Sequence, residues 1–179
     1  LIPFNTGVEP SAGTLLISEP LLLDSNFQRS VILLCHHDIN ESMGFVLNKL
    51  ATDTLSDLVP EMANSSFPIY QGGPVGLNSL HFIHTLPDLL QGSHLAHGIF
   101  WSGDIARAFE GIKMGEVNEQ NCRFFVGYSG WGAGQLDAEL DMNSWLVCPS
   151  SQRLVFDVNQ EQLWKESVEE LGPKFKNLL

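Results

Sequence analysis

The sequence FFVGYSGWGAGQL, residues 124–136, contains the most informative pattern in this chain. It begins as an apolar run of strand length and continues into closely spaced glycines around a tyrosine and a tryptophan. Glycines relax the backbone and permit another chain or a ligand to approach closely. The pattern predicts a strand over 123–128 that leaves through a glycine-rich turn, with Trp131 near an exposed edge, and then a helix over 132–141.

Outward from this segment, short apolar runs bounded by turn residues predict further strands. They lie at 13–18, 30–36, 44–50, 67–71, 80–86, 99–102 and 145–148. Helices are predicted at 54–59, 105–114 and 159–172. In the last two, apolar residues recur at helical spacing, and Asp104 and Asn159 stand at their starts as candidate N-terminal caps. Strands come early as hairpins and helices enter later, so the fold class is α+β.

The chain shows no repeat and no linker, so its length predicts one domain. We expect an irregular lead-in over residues 1–12 and a single domain over residues 13–179. Within that domain, the polar stretch 37–43 predicts a turn, and His94 and His97 flank a predicted loop. The sequence Gly72-Gly73-Pro74 is a strong turn signal.

The charge balance disfavours polyanionic partners. The chain carries 9 Lys and Arg against 21 Asp and Glu, which gives a net charge of -12. Nucleic-acid binders show a basic footprint because phosphate contacts supply much of their affinity. We therefore expect no direct nucleic-acid binding. The alternative requires a contiguous basic face, formed by Lys49, Arg107, Lys113 and Arg123.

Three cysteines, Cys35, Cys122 and Cys148, lie in or at the end of apolar runs and form no CxxC pair. Their odd number and apolar surroundings predict buried free thiols, which suit a reducing cytosol. The sequence shows no signal peptide and no apolar run of about 20 residues. We expect a cytoplasmic protein without a membrane segment.

Histidine spacing predicts no metal site and no cofactor. His36 and His37 are adjacent, and His81 and His84 are three apart, so on a strand each pair points to opposite faces. The chain contains no HExxH motif and no cysteine pair of the kind that binds zinc.

Two further ligand motifs are incomplete. The glycines around residues 72–76 lack the lysine and hydroxyl of a phosphate-binding loop. Ser129 misses the GxSxG elbow of hydrolases because Trp131 stands where the last glycine belongs. A hydrolase that uses Ser129 stays open as an alternative, since a strand–turn–helix context is predicted there.

The motifs together resemble the YqgE/AlgH family of small bacterial proteins over residues 13–172. The segments that carry the resemblance are GTLLISEP (13–20) with Asp24, FQRSV (27–31), GFVLN (44–48), GGPV (72–75), SGD (102–104) and GYSGWGAGQL (127–136). Asp137 stands where the family more often has glutamate. The resemblance implies a compact α+β domain whose mostly antiparallel bent sheet curls into a pseudo-barrel with flanking helices. Members often carry the label of transcriptional regulator, and no catalytic residues carry over.

Two hypotheses of function follow. The first is a non-catalytic regulatory or binding module that contacts an unknown protein partner through a concave region near Trp131, Gly72, Gly73 and Asp104. Trp101 and Trp131 both neighbour glycines at the exits of predicted strands, where an exposed edge suits an aromatic anchor. The second is a small-molecule binder or hydrolase, favoured if Asp24, Asn48, Asp104 and Ser129 line a common pocket. The predicted binding residues are Asp24, Asn48, Gly72, Gly73, Asp104, Ser129, Gly130, Trp131 and Gln135.

Overall fold

A computed structural model describes residues 5–179 of the chain. Residues 1–4, the first part of the predicted lead-in, lie outside the described residues. The described part contains ten strands. They are β1 (Thr14–Ser18), β2 (Val31–His37), β3 (Glu41–Val46), β4 (Leu50–Thr54), β5 (Pro68–Gln71), β6 (Val75–His84), β7 (Ser93–Ala96), β8 (Ile99–Trp101), β9 (Cys122–Gly132) and β10 (Trp145–Pro149).

Five α-helices accompany these strands in residues 5–179. They are α1 (Leu55–Leu58), α2 (Pro87–Leu90), α3 (Ile105–Met114), α4 (Gln135–Asp141) and α5 (Gln160–Glu170). A π-helical turn at Arg153–Asp157 precedes α5, and 3₁₀ turns occur at Pro60–Met62 and Pro173–Leu178.

The strands form one curled sheet with the order β10-β1-β2-β3-β9-β6-β8-β7. All of these neighbours pair antiparallel, whereas β5 runs parallel to β9 and also pairs with β4. The curl brings β7 close to the start of β1, since a Cβ on Gly13 would lie 2.5 Å from Cβ of Ala96. The result is a half-barrel with flanking helices, and it confirms the α+β class predicted from the sequence.

Within residues 5–179, three hydrophobic cores hold the sheet and the helices together. The inner core lies between the sheet and the C-terminal helices, and it includes Phe45, Phe125 and Trp164. A second core lies beneath α3 and contains Phe124. The third, the α4-side core, packs Leu136 of α4 against the outer face of β1–β3 and β10.

Most predicted strands are present, but several boundaries were wrong. The predicted strand 44–50 is divided, because β3 ends at Val46 and Leu50 begins β4. The stretch 37–43 is not all turn, because β3 begins at Glu41 and pairs Ser42 with His37 of β2. β6 begins at Val75 rather than residue 80, since it follows β9 across a register shift. The predicted loop at His94 is the edge strand β7, which pairs with β8.

The glycine-rich segment after residue 127 is also not a turn. β9 continues to Gly132 because its last residues pair with β3, with Gly130 opposite Met43 and Ser129 opposite Gly44. Helix α4 begins only at Gln135, after a glycine with positive φ at 134. Gly127, Gly130 and Gly132 therefore lie within a central strand, and at Gly127 the lack of a side chain permits close approach of the Gly73 carbonyl.

Candidate functional site

Asp24 and Asn48 both stabilise the connection between β1 and β2. The Asp24 carboxylate accepts a hydrogen bond from the Asn26 backbone at 2.9 Å, as in an Asx turn. The Asn48 side chain accepts from the Val31 N–H at 3.0 Å and donates to the Arg29 carbonyl at 2.9 Å. Both side chains therefore serve local backbone structure.

Asp104 and Gln135 act at helix starts. Asp104 caps α3, because its carboxylate accepts from the Arg107 N–H at 3.1 Å. The side-chain oxygen of Gln135 accepts from the Gly132 N–H at 3.0 Å and fixes the entry into α4. The sequence predicted the capping position of Asp104 correctly.

Gly72 and Gly73 directly follow β5, where the chain packs against β3 and β9. The Gly72 carbonyl accepts from the Val46 N–H at 2.8 Å and from the Ser129 hydroxyl at 3.0 Å. Gly73 packs so closely on β9 that a Cβ there would overlap the backbone of Tyr128. These glycines are buried and permit strand packing rather than ligand contact.

Ser129 has no exposed surface, and its hydroxyl donates to the Gly72 carbonyl. It does not share a pocket with Asp24, Asn48 or Asp104, which lie at separate turns and caps. These four side chains therefore do not line a common pocket, and each supports the fold where it lies. The condition that would have favoured the hydrolase alternative is not met.

Trp131 was predicted at an exposed edge, and this prediction was wrong. Its side chain is 5% exposed and belongs to the α4-side core. The indole N–H donates to the Glu139 carboxylate at 2.6 Å, and the Trp145 indole donates to the same oxygen at 3.0 Å. Helix α4 folds back over β9 and covers the ring, which a reading of the local sequence does not show.

A surface groove runs along the pairing of β3 with β9 and has a volume of about 550 Å³. We call it the β3–β9 groove. Its lining residues are His36, Glu41, Ser42, Met43, Val75, Trp101, Tyr128, Gly130 and Trp131. Of the predicted binding residues, it brings together Gly130 and Trp131, the latter at its margin. The predicted concavity shared by Trp131, Gly72, Gly73 and Asp104 is not present.

The groove combines an apolar wall with an acidic side. Met43, Trp101 and Tyr128 are half-buried against the inner core, so each keeps one surface available. Glu41 is exposed and lines the groove two residues before Met43 on β3. Sequence analysis missed Met43, Trp101 and Tyr128 as a set because three separate strands supply them.

The groove offers contact surface but no recognisable catalytic set. Residues 5–179 contain no group of three or more His, Cys, Asp or Glu side chains that could hold a metal ion. The three cysteines are free and buried, as predicted. Burial raises the pKa of Cys148 to about 11 and that of Cys122 to about 12, so both thiols stay protonated and unreactive near neutral pH.

Three of the four cations proposed for a basic face, Arg107, Lys113 and Arg123, have partners within the protein, and the Arg107 guanidinium lies 3.9 Å from the Asp104 carboxylate. The Arg123 guanidinium donates to the Tyr70 hydroxyl and to the Phe156 carbonyl. Lys113 lies 3.3 Å from a Glu110 carboxylate oxygen. Carboxylates and internal acceptors therefore reduce the basic character of this set.

Within the part of the chain that the structure describes, no helix has the length and apolar character needed to cross a membrane.

His84 is the one histidine among residues 5–179 with no exposed surface. Nε2 lies 2.8 Å from the Ser102 carbonyl, and Nδ1 accepts from the Leu86 N–H at 3.1 Å, so the ring is held in one neutral tautomer. Burial lowers its pKa, against the opposing effect of hydrogen bonds to the Ser102 and Gln91 backbone. The ring supports the turn before α3 and lies outside the groove.

We expect the free energy of unfolding to decrease as the pH falls through about 6.5, the ordinary histidine pKa. Below that pH the unfolded chain takes up a proton at His84 that the folded chain resists, so acid favours unfolding. Urea denaturation between pH 8 and pH 5 should show a smaller decrease for His84→Gln than for the parent. If the free energy of unfolding decreases equally in both proteins, His84 is not the cause of the decrease.

The curled sheet and its flanking helices define a half-barrel α+β domain, with a surface groove at the β3–β9 pairing. The chain belongs to the AlgH-like family, whose model matches residues 15–176. This confirms the family predicted from the motifs.

Relatives and solved structures agree with that membership. A UPF0301 protein of Parabacteroides distasonis is 41% identical over 175 residues, covering 94% of this chain and 87% of the relative. A UPF0301 protein of Chlorobium limicola is 36% identical over 165 residues, with 92% and 88% covered. The solution structure of the AlgH protein from Pseudomonas aeruginosa has a TM-score of 0.73 at 27% identity, with 93% and 92% covered. A crystal structure from Corynebacterium diphtheriae has a TM-score of 0.80 at 22% identity, with 96% and 92% covered, and shows the same fold.

Proposed function

We propose that this chain is a non-catalytic binding module that acts through protein contacts at the β3–β9 groove. The observation that carries the proposal is the half-buried apolar wall of Met43, Trp101 and Tyr128, which lines the groove beside Gly130. Aromatic residues and methionine are enriched at protein interfaces. Each of these side chains is packed on one side, so little conformational freedom remains to be lost on binding.

A regulatory role is the form of this proposal that the family resemblance favours. Regulation through a protein partner suits the net charge of -12 better than regulation by direct DNA binding. The three free, buried thiols support a reducing cytosol as the place of action.

Gly130→Val tests the groove directly. Gly130 has no positive φ, and a Cβ there would meet the Tyr128 ring at 3.5 Å, an ordinary contact. Valine is also favourable in strands. The branched side chain should fill the groove beside Tyr128, and we expect it to reduce partner capture at least about tenfold while leaving the fold intact.

The measurement is quantitative affinity capture from lysate of the organism that encodes the chain. Thr52→Val on β4 provides a matched control, because Thr52 is exposed and is not among the groove residues. Proteins captured by the parent and by Thr52→Val, and lost with Gly130→Val, would support a groove partner. Equal capture by all three proteins would contradict the proposal.

A further inference from the structure

We propose that the β3–β9 groove binds an arginine side chain presented by a partner protein. The guanidinium would lie against the rings of Trp101 and Tyr128, with the Glu41 carboxylate as its counter-charge. This inference rests on the proposed function, and it names the chemistry that the groove recognises.

The aromatic wall is held rigidly by ring contacts beneath it. The Trp101 ring lies 6.4 Å from the Phe45 ring at an interplanar angle of 66°. The Tyr128 ring lies 6.0 Å from the His81 ring, and His81 lies 5.2 Å from Phe45. Trp101 and Tyr128 are therefore fixed by one shared cluster, and their outer surfaces line the groove. Such surfaces attract a cation, and a planar guanidinium stacks on them better than an ammonium does.

The charge of the groove also selects a cation. Glu41 is the acidic residue of the lining, and none of the described residues that line the groove is Lys or Arg. Among residues 5–179, the Glu41 carboxylate takes part in none of the ion pairs. A cationic ligand therefore meets an anionic group without having to displace an internal partner.

Neighbouring titratable groups do not reverse this balance. The His36 ring lies 2.9 Å from the Asp38 carboxylate, which offsets any positive charge that it acquires. Hydrogen bonds from the Glu41 and Asn40 backbone lower the pKa of Asp38 and keep it ionised. Burial lowers the pKa of His81, so its ring is neutral near pH 7.

The size of the groove favours a protein segment over a free small cation. Its volume of about 550 Å³ exceeds the requirement of one guanidinium. Val75 of β6, which pairs with Tyr128, is 42% exposed and extends the apolar lining of the groove. Gly130 carries no side chain, so a partner backbone can approach β9 there. A segment with an arginine flanked by aliphatic residues fits these features, and the net negative charge of this protein attracts such a cationic segment.

Fluorescein-labelled Gly-Leu-Arg-Leu-Gly peptide is the probe, compared with the same peptide carrying citrulline, the neutral isostere of arginine. Fluorescence anisotropy should show binding of the arginine peptide that weakens with added salt. We expect about tenfold weaker binding of the citrulline peptide, because both the cation–π attraction and the ion pair are lost.

Protein variants assign the effect to the groove. Glu41→Gln should weaken binding of the arginine peptide about threefold to fivefold and leave the citrulline peptide unchanged. Asp53→Asn removes an exposed carboxylate on β4 outside the groove and should change neither. Gly130→Val should abolish binding of both peptides.

Three results would overturn the inference: equal affinity of the two peptides, equal effects of Glu41→Gln and Asp53→Asn, or no binding of the arginine peptide at millimolar concentration. Groove-dependent capture from lysate together with any of these results would leave the protein-contact function standing and reject only arginine as its determinant. Loss of groove dependence in the lysate assay would instead reject the function itself.

Discussion

Gly73→Ala is expected to lose about 3 kcal/mol or more of unfolding free energy, near the upper range for overpacking a close-packed interior. The new Cβ would overlap the carbonyl carbon and oxygen of Tyr128. These are backbone atoms of the central strand β9, so no side-chain rotation relieves the clash. Guanidinium chloride denaturation should show the loss as a lower midpoint, or as failure to fold.

Gly130→Ala provides the matched control, because both glycines contact Tyr128. At Gly130 the added Cβ meets only the edge of the Tyr128 ring, at 3.5 Å. Alanine there also restricts the unfolded chain, so we expect a change within about 1 kcal/mol and in the stabilising direction. Equal losses for the two variants would show that strand packing at Gly73 is not as tight as the structure indicates.

This pair of glycines shows what the sequence could and could not predict. Glycine spacing predicted unusual backbone in both places, and the apolar runs of β1, β2 and β10 predicted their strands correctly. The spacing could not distinguish a turn from a central strand, because β9 is extended by pairing with β3, about 90 positions earlier in the chain. Tertiary pairing overrides local preference in such segments.

Helix ends were more predictable because their signals are local. Asp104 caps α3, and the Asn159 side chain accepts from the Glu161 N–H at 2.8 Å at the start of α5, as the sequence indicated. The π-helical turn at Arg153–Asp157 was not predicted. It lies where buried side chains pack onto the inner core, which is a property of the tertiary structure.

The candidate site was the least predictable part. Its wall combines Met43, Trp101 and Tyr128, which lie on three strands and become neighbours only when the sheet curls. The sequence predicted exposed edges for both Trp101 and Trp131, but the exposure of each ring depends on which element covers it. Helix α4 covers Trp131, whereas Trp101 keeps an accessible surface.

Trp131→Ala is expected to cost about 3–5 kcal/mol of unfolding free energy, the range for truncating a buried tryptophan. The change would leave a cavity between β9 and α4 and would break the edge-to-face contact with Trp145, whose ring centroid lies 6.2 Å away. It would also remove one of the two N–H donors to Glu139. Chemical denaturation monitored by circular dichroism measures the cost, since indole fluorescence changes with the mutation itself.

Two further variants separate the contributions. Trp131→Phe retains an aromatic ring but loses the N–H donor, so a cost of about 2 kcal/mol is expected from the hydrogen bond to a charged group and the smaller ring. Trp101→Ala is the matched control, because Trp101 is half-buried and should cost less than Trp131→Ala. If Trp101→Ala loses more unfolding free energy than Trp131→Ala, Trp101 is the more important indole for stability. The groove wall would then serve mainly to stabilise the fold rather than to contact a partner. The expected order, Trp131→Ala above Trp131→Phe and above Trp101→Ala, instead assigns Trp131 to the fold and leaves Trp101 available for recognition.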